Sequence, residues 1–120
     1  MKLPHYSLAI VSKIKIVDYL LAETHIEGNS KARFFHRLGF SEEKWDEMAT
    51  ALRAHAFLNE VTKSVSTQFG TRYVVDGPFT APSGRMVELR SVWFIPLNER
   101  LPSLTTAYPL KGKKLDKGTR

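Results

Sequence analysis

The sequence predicts an α+β fold in which about three N-terminal helices pack on one face of a four-stranded antiparallel sheet. Apolar residues recur at helical spacing through residues 12–57, and from Val61 onward the period changes to two. Because the helical pattern precedes the strand pattern, we expect a layer of helices and a separate sheet and not alternating βαβ units. The length of 120 residues suits one domain, which we place at residues 1–110, followed by a polar tail at residues 111–120.

The first two helices have recognisable ends. Ser12 can cap a helix that ends near Glu23, and the Ser30 hydroxyl stands where it would cap a second helix over residues 31–38. Gly39 follows the second helix at the position where a left-handed residue commonly ends one. The apolar face of the first helix is predicted to contain Ile14, Val17, Leu20 and Leu21.

A third helix is predicted from Ser41 to about Phe57, and a short extended segment at residues 8–11 precedes all three helices. Glu42 and Glu43 would occupy the first turn of the third helix, where the helix dipole favours negative charge. Its predicted apolar face contains Trp45, Met48, Ala49 and Leu52.

Alternating polar and apolar residues mark the strands. Gly70 interrupts the first alternating run and indicates a hairpin, and residues 78–84 are predicted to form a Pro/Gly turn. In the third strand the alternation places Arg90 and Ser91 on opposite faces of the sheet. The predicted strands cover residues 61–69, 71–75, 86–95 and 103–108.

The net charge of +6 is concentrated at the C-terminal end of the chain. Residues 111–120 hold five basic residues and one Asp, so most of the excess lies in the tail. Such a segment is either a disordered, solubilising end or a flexible arm that gathers phosphate backbone. The overall charge therefore indicates nucleic-acid binding only weakly.

Composition also excludes several kinds of site. Without Cys there is no disulfide framework, thiolate zinc site or cysteine nucleophile, which fits a reducing cytoplasm. No apolar stretch approaches the ~20 residues that span a bilayer, and no leader peptide is visible, so we expect neither membrane insertion nor export. Zinc-hydrolase, nucleophile-elbow and dinucleotide motifs are absent, so we expect no metal and no cofactor.

One group of candidate site residues lies around the start of the second helix. His25 precedes it in a predicted loop, and an imidazole exchanges protons at neutral pH. Lys31 stands in the first turn, where the helix dipole favours an anion, with Ser30 and Arg33 beside it. The alternative for His25 is a plain hydrogen bond to loop backbone.

A second group lies on the last two strands. Arg90 is a guanidinium in mid-strand, where it either binds a phosphate or forms a cross-strand ion pair, with Asp76 as one possible partner. Thr106 and Tyr108 share one face of the final strand and could orient a phosphate or a base. Both are also ordinary strand formers, so packing is the alternative for them.

Several short motifs occur in order along residues 8–110. They are Asp18-Tyr-Leu-Leu, His25-x-x-Gly28-x-Ser30-Lys31-Ala32-x-Phe34-Phe35-x-x-Leu38-Gly39-Phe40, Tyr73-Val-Val-Asp76-Gly77, Pro82-x-Gly84-Arg85, Arg90-Ser91-Val92-Trp93 and Thr106-Ala-Tyr108-Pro109. With these motifs the chain resembles a widespread family of small, uncharacterised bacterial domains. That family has no settled activity from which a function would follow.

The order of the chemistry-bearing residues is more loosely similar to the barnase, EndoU, colicin and RelE superfamily of metal-independent ribonucleases, many of them toxins. An early His-Lys segment precedes a four-stranded sheet with late Arg, Thr and Tyr. Superfamily members tend to carry Thr after the strand Arg, whereas this chain has Ser91, which keeps the hydroxyl.

This similarity implies RNA cleavage through a 2′,3′-cyclic phosphate, by a toxin whose partners are RNA and a cognate antitoxin protein. His25, Lys31, Arg90, Thr106 and Tyr108 would be catalytic. Phosphate or RNA would be held by Ser30, Arg33 and Ser91. The competing hypothesis is a non-catalytic module that binds protein or RNA.

Overall fold

The structure is a computed structural model that describes residues 1–23 and 29–110, with Asn29 described by its backbone alone. His25 and the predicted tail lie outside these residues. A 3₁₀ turn precedes the first helix, α1, which continues directly as a π-helical segment; two longer helices and four strands follow. In chain order the elements are the 3₁₀ turn Tyr6–Leu8, α1 Lys13–Lys15, the π-helical segment Ile16–Leu20, α2 Asn29–Arg37, α3 Trp45–Leu58, β1 Val61–Thr67, β2 Gly70–Thr80, β3 Met86–Pro96 and β4 Ser103–Pro109.

The predicted α+β class is confirmed: across the described residues, three helices pack with a four-stranded antiparallel sheet of order β1-β2-β3-β4. The predicted extended segment at residues 8–11 is mostly a turn, but Ile10 forms one parallel bridge to Ser103 at the outer edge of β4. No helix within the described ranges is both long and apolar enough to cross a membrane.

The core lies between α3 and one face of the sheet. Phe35 of α2 joins it, and Trp93 at its centre has no exposed surface. Burial of such side chains contributes about 1.5–3 kcal/mol each, which makes this layer the main source of stability. The buried residues of α3 are Met48, Ala49, Leu52, His55 and Ala56, and those facing them from the sheet include Val75, Phe79, Leu89, Trp93 and Ala107.

The first helix has its predicted cap but a different buried face. The Ser12 hydroxyl accepts a hydrogen bond from the Lys15 amide at 3.1 Å, as expected of an N-cap. The helix then widens into the π-helical segment, which changes the angle between successive side chains. Ile16 is therefore buried instead of Ile14, which is 70% exposed, so the prediction for Ile14 was wrong.

Two predicted helix starts were also wrong. Helix α2 already includes Asn29, so Ser30 lies within the helix and not at its cap. Helix α3 begins at Trp45 because residues 41–44 form a separate turn, closed by the Lys44 amide on the Ser41 carbonyl at 3.2 Å. Asp46 and Glu47 supply the negative charge of the first turn of α3, a role that the sequence pattern had given to two earlier glutamates.

Strand β2 continues through the segment that was predicted to be a turn. Gly77 and Pro78 pair with Leu89 and Glu88 of β3. Pro78 is tolerated because β1 pairs with β2 only as far as Val75, so β2 is locally an edge strand at this point. The turn itself lies later, where the Gly84 amide donates to the Ala81 carbonyl at 2.9 Å.

Candidate functional site

A cleft of about 660 Å³ lies between α2 and the end of β4. Three of its lining side chains are basic and one is a phenol, so the cleft suits an anion that also contacts an aromatic ring. Helix α2 contributes Ser30, Lys31, Arg33, Phe34 and Arg37, and β4 contributes Tyr108 and Pro109.

Lys31 stands between two aromatic rings. Its ammonium nitrogen lies 5.4 Å from the centroid of the Tyr19 ring and 6.0 Å from that of Tyr108. Ring quadrupoles attract a cation at such distances, so the two phenols fix where the charge of Lys31 lies. Tyr19 comes from the π-helical segment and Tyr108 from β4, so two distant parts of the chain position the ammonium group.

Arg90 is held across the strands. Its Nε donates to Asp76 Oδ1 at 2.8 Å and its Nη2 to Asp76 Oδ2 at 2.9 Å, and the Thr62 hydroxyl also donates to Oδ2 at 3.2 Å. The alternative considered for Arg90, a cross-strand pair with Asp76, is therefore present. This two-pronged arrangement fixes the guanidinium plane.

The same guanidinium also reaches the site. Arg90 pairs with Tyr108 in the β3–β4 register, so the two side chains are neighbours on one face of the sheet. The hydrogen bonds to Asp76, followed by the interaction with Tyr108, raise the pKa of Arg90 above its already high value. Arg90 is thus a permanent cation behind Tyr108, and Asp76, Arg90 and Tyr108 form one row across three strands.

Thr106 faces the same edge of the fold but contacts a different group. Its hydroxyl lies 3.3 Å from the Tyr19 hydroxyl, and either oxygen can donate. The contact ties β4 to the π-helical segment. Thr106 therefore supports the ring against which Lys31 packs.

Ser91 lies elsewhere. It is fully buried on the face of the sheet that packs against α3, where its hydroxyl lies 2.9 Å from His55 Nδ1 and accepts from Trp93 Nε1 at 2.9 Å. A hydroxyl without exposed surface and with both roles filled does not contact RNA. The alternation that separated Arg90 from Ser91 is as predicted, but this burial argues against the predicted phosphate contact of Ser91.

The structure thus brings together part of the predicted site. Lys31 and Tyr108 face one another across the cleft, and Ser30 and Arg33 line it. Arg90 lies on the neighbouring strand beside Tyr108. His25 lies outside the described residues, so its position relative to the cleft stays a prediction.

Sequence reasoning missed Tyr19 and Arg37. Arg37 lies two turns after Ser30 on α2, so its helical spacing could have placed it on the same face. The contacts of Tyr19 depend on tertiary packing and carry no local signal. Within residues 1–23 and 30–110, no three His, Asp or Glu side chains are arranged to hold a metal ion.

The chain was compared with known families and structures. Residues 2–111 match a domain of unknown function, DUF6883. The chain belongs to the DUF6883 family. This confirms the resemblance to a family of uncharacterised domains. No curated protein matches this DUF6883 chain.

A solved structure shares the fold. One chain of a contact-dependent growth inhibition toxin–immunity protein complex from Klebsiella pneumoniae 342 superposes on the DUF6883 chain with a TM-score of 0.67. The sequences are 18% identical, and the match covers 87% of this chain and 95% of that one. At this identity the likeness concerns the arrangement of helices and strands.

Proposed function

We propose that this DUF6883 chain is a metal-independent endoribonuclease that acts as the toxin of a toxin–antitoxin or related conflict system. The observation that carries the proposal is the cleft in which Lys31, backed by Tyr19, faces Tyr108, backed by Arg90. Cations and a proton-bearing phenol around one anion-sized space are the groups that RNA cleavage requires.

The chemistry uses the substrate's own nucleophile. The ribose 2′-oxygen attacks the adjacent phosphorus while a base removes the 2′-proton. The bond from phosphorus to the 5′-oxygen of the next nucleotide breaks, and an acid protonates that oxygen. The products are a 2′,3′-cyclic phosphate and a 5′-hydroxyl, so the protein supplies a base, an acid and positive charge.

Tyr108 is suited to the role of the acid. Arg90 lies beside it in the β3–β4 register, and Asp76 fixes the plane of that guanidinium. The fixed guanidinium stabilises negative charge on the phenol oxygen as the phenol proton leaves. Asp76 acts through Arg90 and is therefore a positioning residue.

Lys31 and the arginines of α2 supply the charge. The Lys31 ammonium is placed to stabilise the crowded phosphorane, and Arg33 and Arg37 can hold flanking phosphates. Thr106 orients Tyr19, and Tyr19 in turn positions Lys31. We assign the base to His25, six positions before Lys31 in the sequence.

The toxin assignment rests on two likenesses. The similarity in residue order to metal-independent ribonucleases concerns proteins that are often toxins, and the K. pneumoniae chain of the same fold comes from a toxin–immunity complex. A toxin of this kind requires a neutralising protein. The basic cleft favours a partner that presents acidic side chains.

The decisive experiment is incubation of the purified chain with total RNA, with and without chelator, followed by end-group analysis. We expect 2′,3′-cyclic phosphate ends in both reactions. Absence of cleavage, or cleavage only without chelator, contradicts the proposal.

Substitutions then test the assigned residues. We expect His25→Ala or Arg90→Ala to remove cleavage without unfolding the domain. The double variant Asp76→Asn/Arg90→Gln is tested beside Arg90→Ala. Arg90→Ala alone leaves the half-buried Asp76 carboxylate without its guanidinium partner. His5→Asn is the matched control, since His5 is exposed at a positive φ of 53° that Asn tolerates. Retained cleavage in both His25→Ala and Arg90→Ala contradicts the assignment of these residues.

A non-catalytic module is the second candidate, and one observation favours it. Arg90 already has a complete two-pronged partner in Asp76, as expected of a structural ion pair. Expression in a bacterial host separates the two hypotheses. A ribonuclease toxin arrests growth unless a neutralising partner is co-expressed, whereas a binding module is tolerated.

A further inference from the structure

A second cleft of about 560 Å³ lies along β4 beside the first. Its polar lining comes from the start of α1, the π-helical segment and the middle of β4. Those polar side chains are Ser12, Lys15, Asp18, Tyr19, Thr105 and Thr106. Its chemistry resembles that of the first cleft, with a lysine, a phenol and several hydroxyls, although Asp18 adds a negative charge.

Tyr19 joins the two clefts. The Lys15 ammonium lies 5.1 Å from the centroid of the Tyr19 ring, and that of Lys31 lies 5.4 Å from the same point. The Tyr19 hydroxyl contacts Thr106, and Tyr108 of the first cleft lies two residues further along β4, about 6.6 Å away by strand geometry. A single ring is therefore shared by a cation of each cleft.

We propose that the two clefts form one groove, running along β4 from Lys15 to Arg37, that binds single-stranded RNA over several nucleotides. Lys15 is its second phosphate-binding position, away from the bond that is cleaved. This inference rests on the proposed function, because it concerns the substrate of the same site.

The side chains along the groove favour a single strand. Lys15, Lys31 and Arg37 can follow a phosphate backbone, and tyrosine rings between such cations are the usual platform for unpaired nucleotides. Hydroxyls of Thr105 and Thr106 can hydrogen-bond to ribose or base edges. Asp18 opposes phosphate binding at one end, so its removal strengthens binding there.

The test uses RNA that cannot be cleaved. Binding of a 2′-O-methyl oligonucleotide of about eight nucleotides, within the usual range of about 4–16 for such grooves, is compared with binding of a 2′-O-methyl dinucleotide. The variants are Lys15→Ala and Asp18→Asn. Lys13→Ala is the matched control, because Lys13 is an exposed lysine of the same helix that lines neither cleft.

We expect Lys15→Ala to lower the ratio of oligonucleotide affinity to dinucleotide affinity several-fold. It should also reduce the slope of log affinity against log salt by about 0.7, the value for one phosphate contact on a single strand. Asp18→Asn should raise oligonucleotide affinity, and Lys13→Ala should match the wild-type chain.

The outcomes separate the two proposals. If Lys15→Ala and Lys13→Ala bind the oligonucleotide equally well and Asp18→Asn has no effect, the groove is wrong, whatever the wild-type chain cleaves. If the wild-type chain cleaves no RNA but shows the Lys15 and Asp18 effects, the groove stands and the ribonuclease proposal falls.

Discussion

Arg90 and Ser91 are neighbours on β3, and the two faces of the sheet give them opposite surroundings. Ser91 is fully buried between Trp93 and His55. Arg90 is about one-third exposed and lies between Asp76 and Tyr108. Each belongs to a row of interacting side chains. The closed row runs from Trp93 through Ser91 on β3 to His55 of α3. The open row runs across the sheet from Asp76 through Arg90 to Tyr108, which lines a cleft.

The closed row is complete in itself. Trp93 Nε1 donates to the Ser91 hydroxyl, which can donate to His55 Nδ1. His55 Nε2 lies 3.1 and 3.0 Å from the carbonyl oxygens of Gly77 and Leu89. Every polar atom has a partner, as buried polar groups require. The open row ends at Tyr108, whose side chain lines the cleft. We infer that the first row contributes stability and the second contributes function.

The largest expected effect comes from removing one oxygen of the open row. Tyr108→Phe should lower RNA cleavage by roughly 10²–10⁴-fold, the usual contribution of a general acid, while uncleavable RNA still binds. Single-turnover cleavage and a binding titration measure the two effects. Tyr73→Phe is the matched control, because Tyr73 is a β2 phenol packed against the core. An equal loss in both variants contradicts the role of Tyr108.

A substitution in the closed row should lower the stability of the fold and leave cleavage unchanged. His55→Leu leaves two carbonyls and the Ser91 hydroxyl without their partner, and we expect it to lower the free energy of unfolding by about 2–4 kcal/mol. Denaturant unfolding measures this loss. Cleavage well below the melting temperature should be retained, and a selective loss of cleavage without loss of stability contradicts the division between the two rows.

The sequence predicted this division in part. Alternation along β3 was enough to separate Arg90 from Ser91, because strand side chains point to alternate faces whatever the tertiary structure. It did not reveal that the outer face would be functional and the inner hydroxyl structural. Nor did it reveal that His55 would be buried, because its carbonyl partners come from two strands that follow it in the sequence.

The wrongly predicted end of β2 likewise depends on contacts between parts of the chain that are distant in sequence. Gly77 and Pro78 have the composition of a turn, yet they continue β2. The glycine is required there by packing, because the Asn59 side chain after α3 occupies the space that a Cβ of Gly77 would need. The Asn59 amide also donates to the Pro78 carbonyl at 3.1 Å. Local propensity could not include this long-range packing. In the site, likewise, the contact between Tyr19 and Lys31 depends on how α2 packs beside the π-helical segment.

A smaller effect is expected at the far end of the open row. Asp76→Asn places an amide against Arg90 and removes one of its two acceptors, so the guanidinium loses its fixed orientation behind Tyr108. We expect cleavage to fall by about tenfold through the rate of the chemical step, with little change in KM. Asp46→Asn, an exposed residue in the first turn of α3, is the control. A change in KM alone contradicts a positioning role for Asp76.

The smallest effect is a pH dependence of stability that belongs to the closed row alone. Burial desolvates the imidazolium and lowers the pKa of His55 below its ordinary 6.5, although hydrogen bonds to Gly77 and Leu89 oppose the shift. Between the lowered pKa and 6.5 the unfolded chain binds a proton that the native chain does not. Stability is therefore complete above pH 6.5 and falls below it, by at most about 1.4 kcal/mol for each pH unit from this group. Denaturant midpoints are measured across this pH range. The fall in stability below pH 6.5 should disappear in His55→Gln and remain in His5→Asn. A fall that persists in His55→Gln would assign it to another group and leave the closed row without a titrating member.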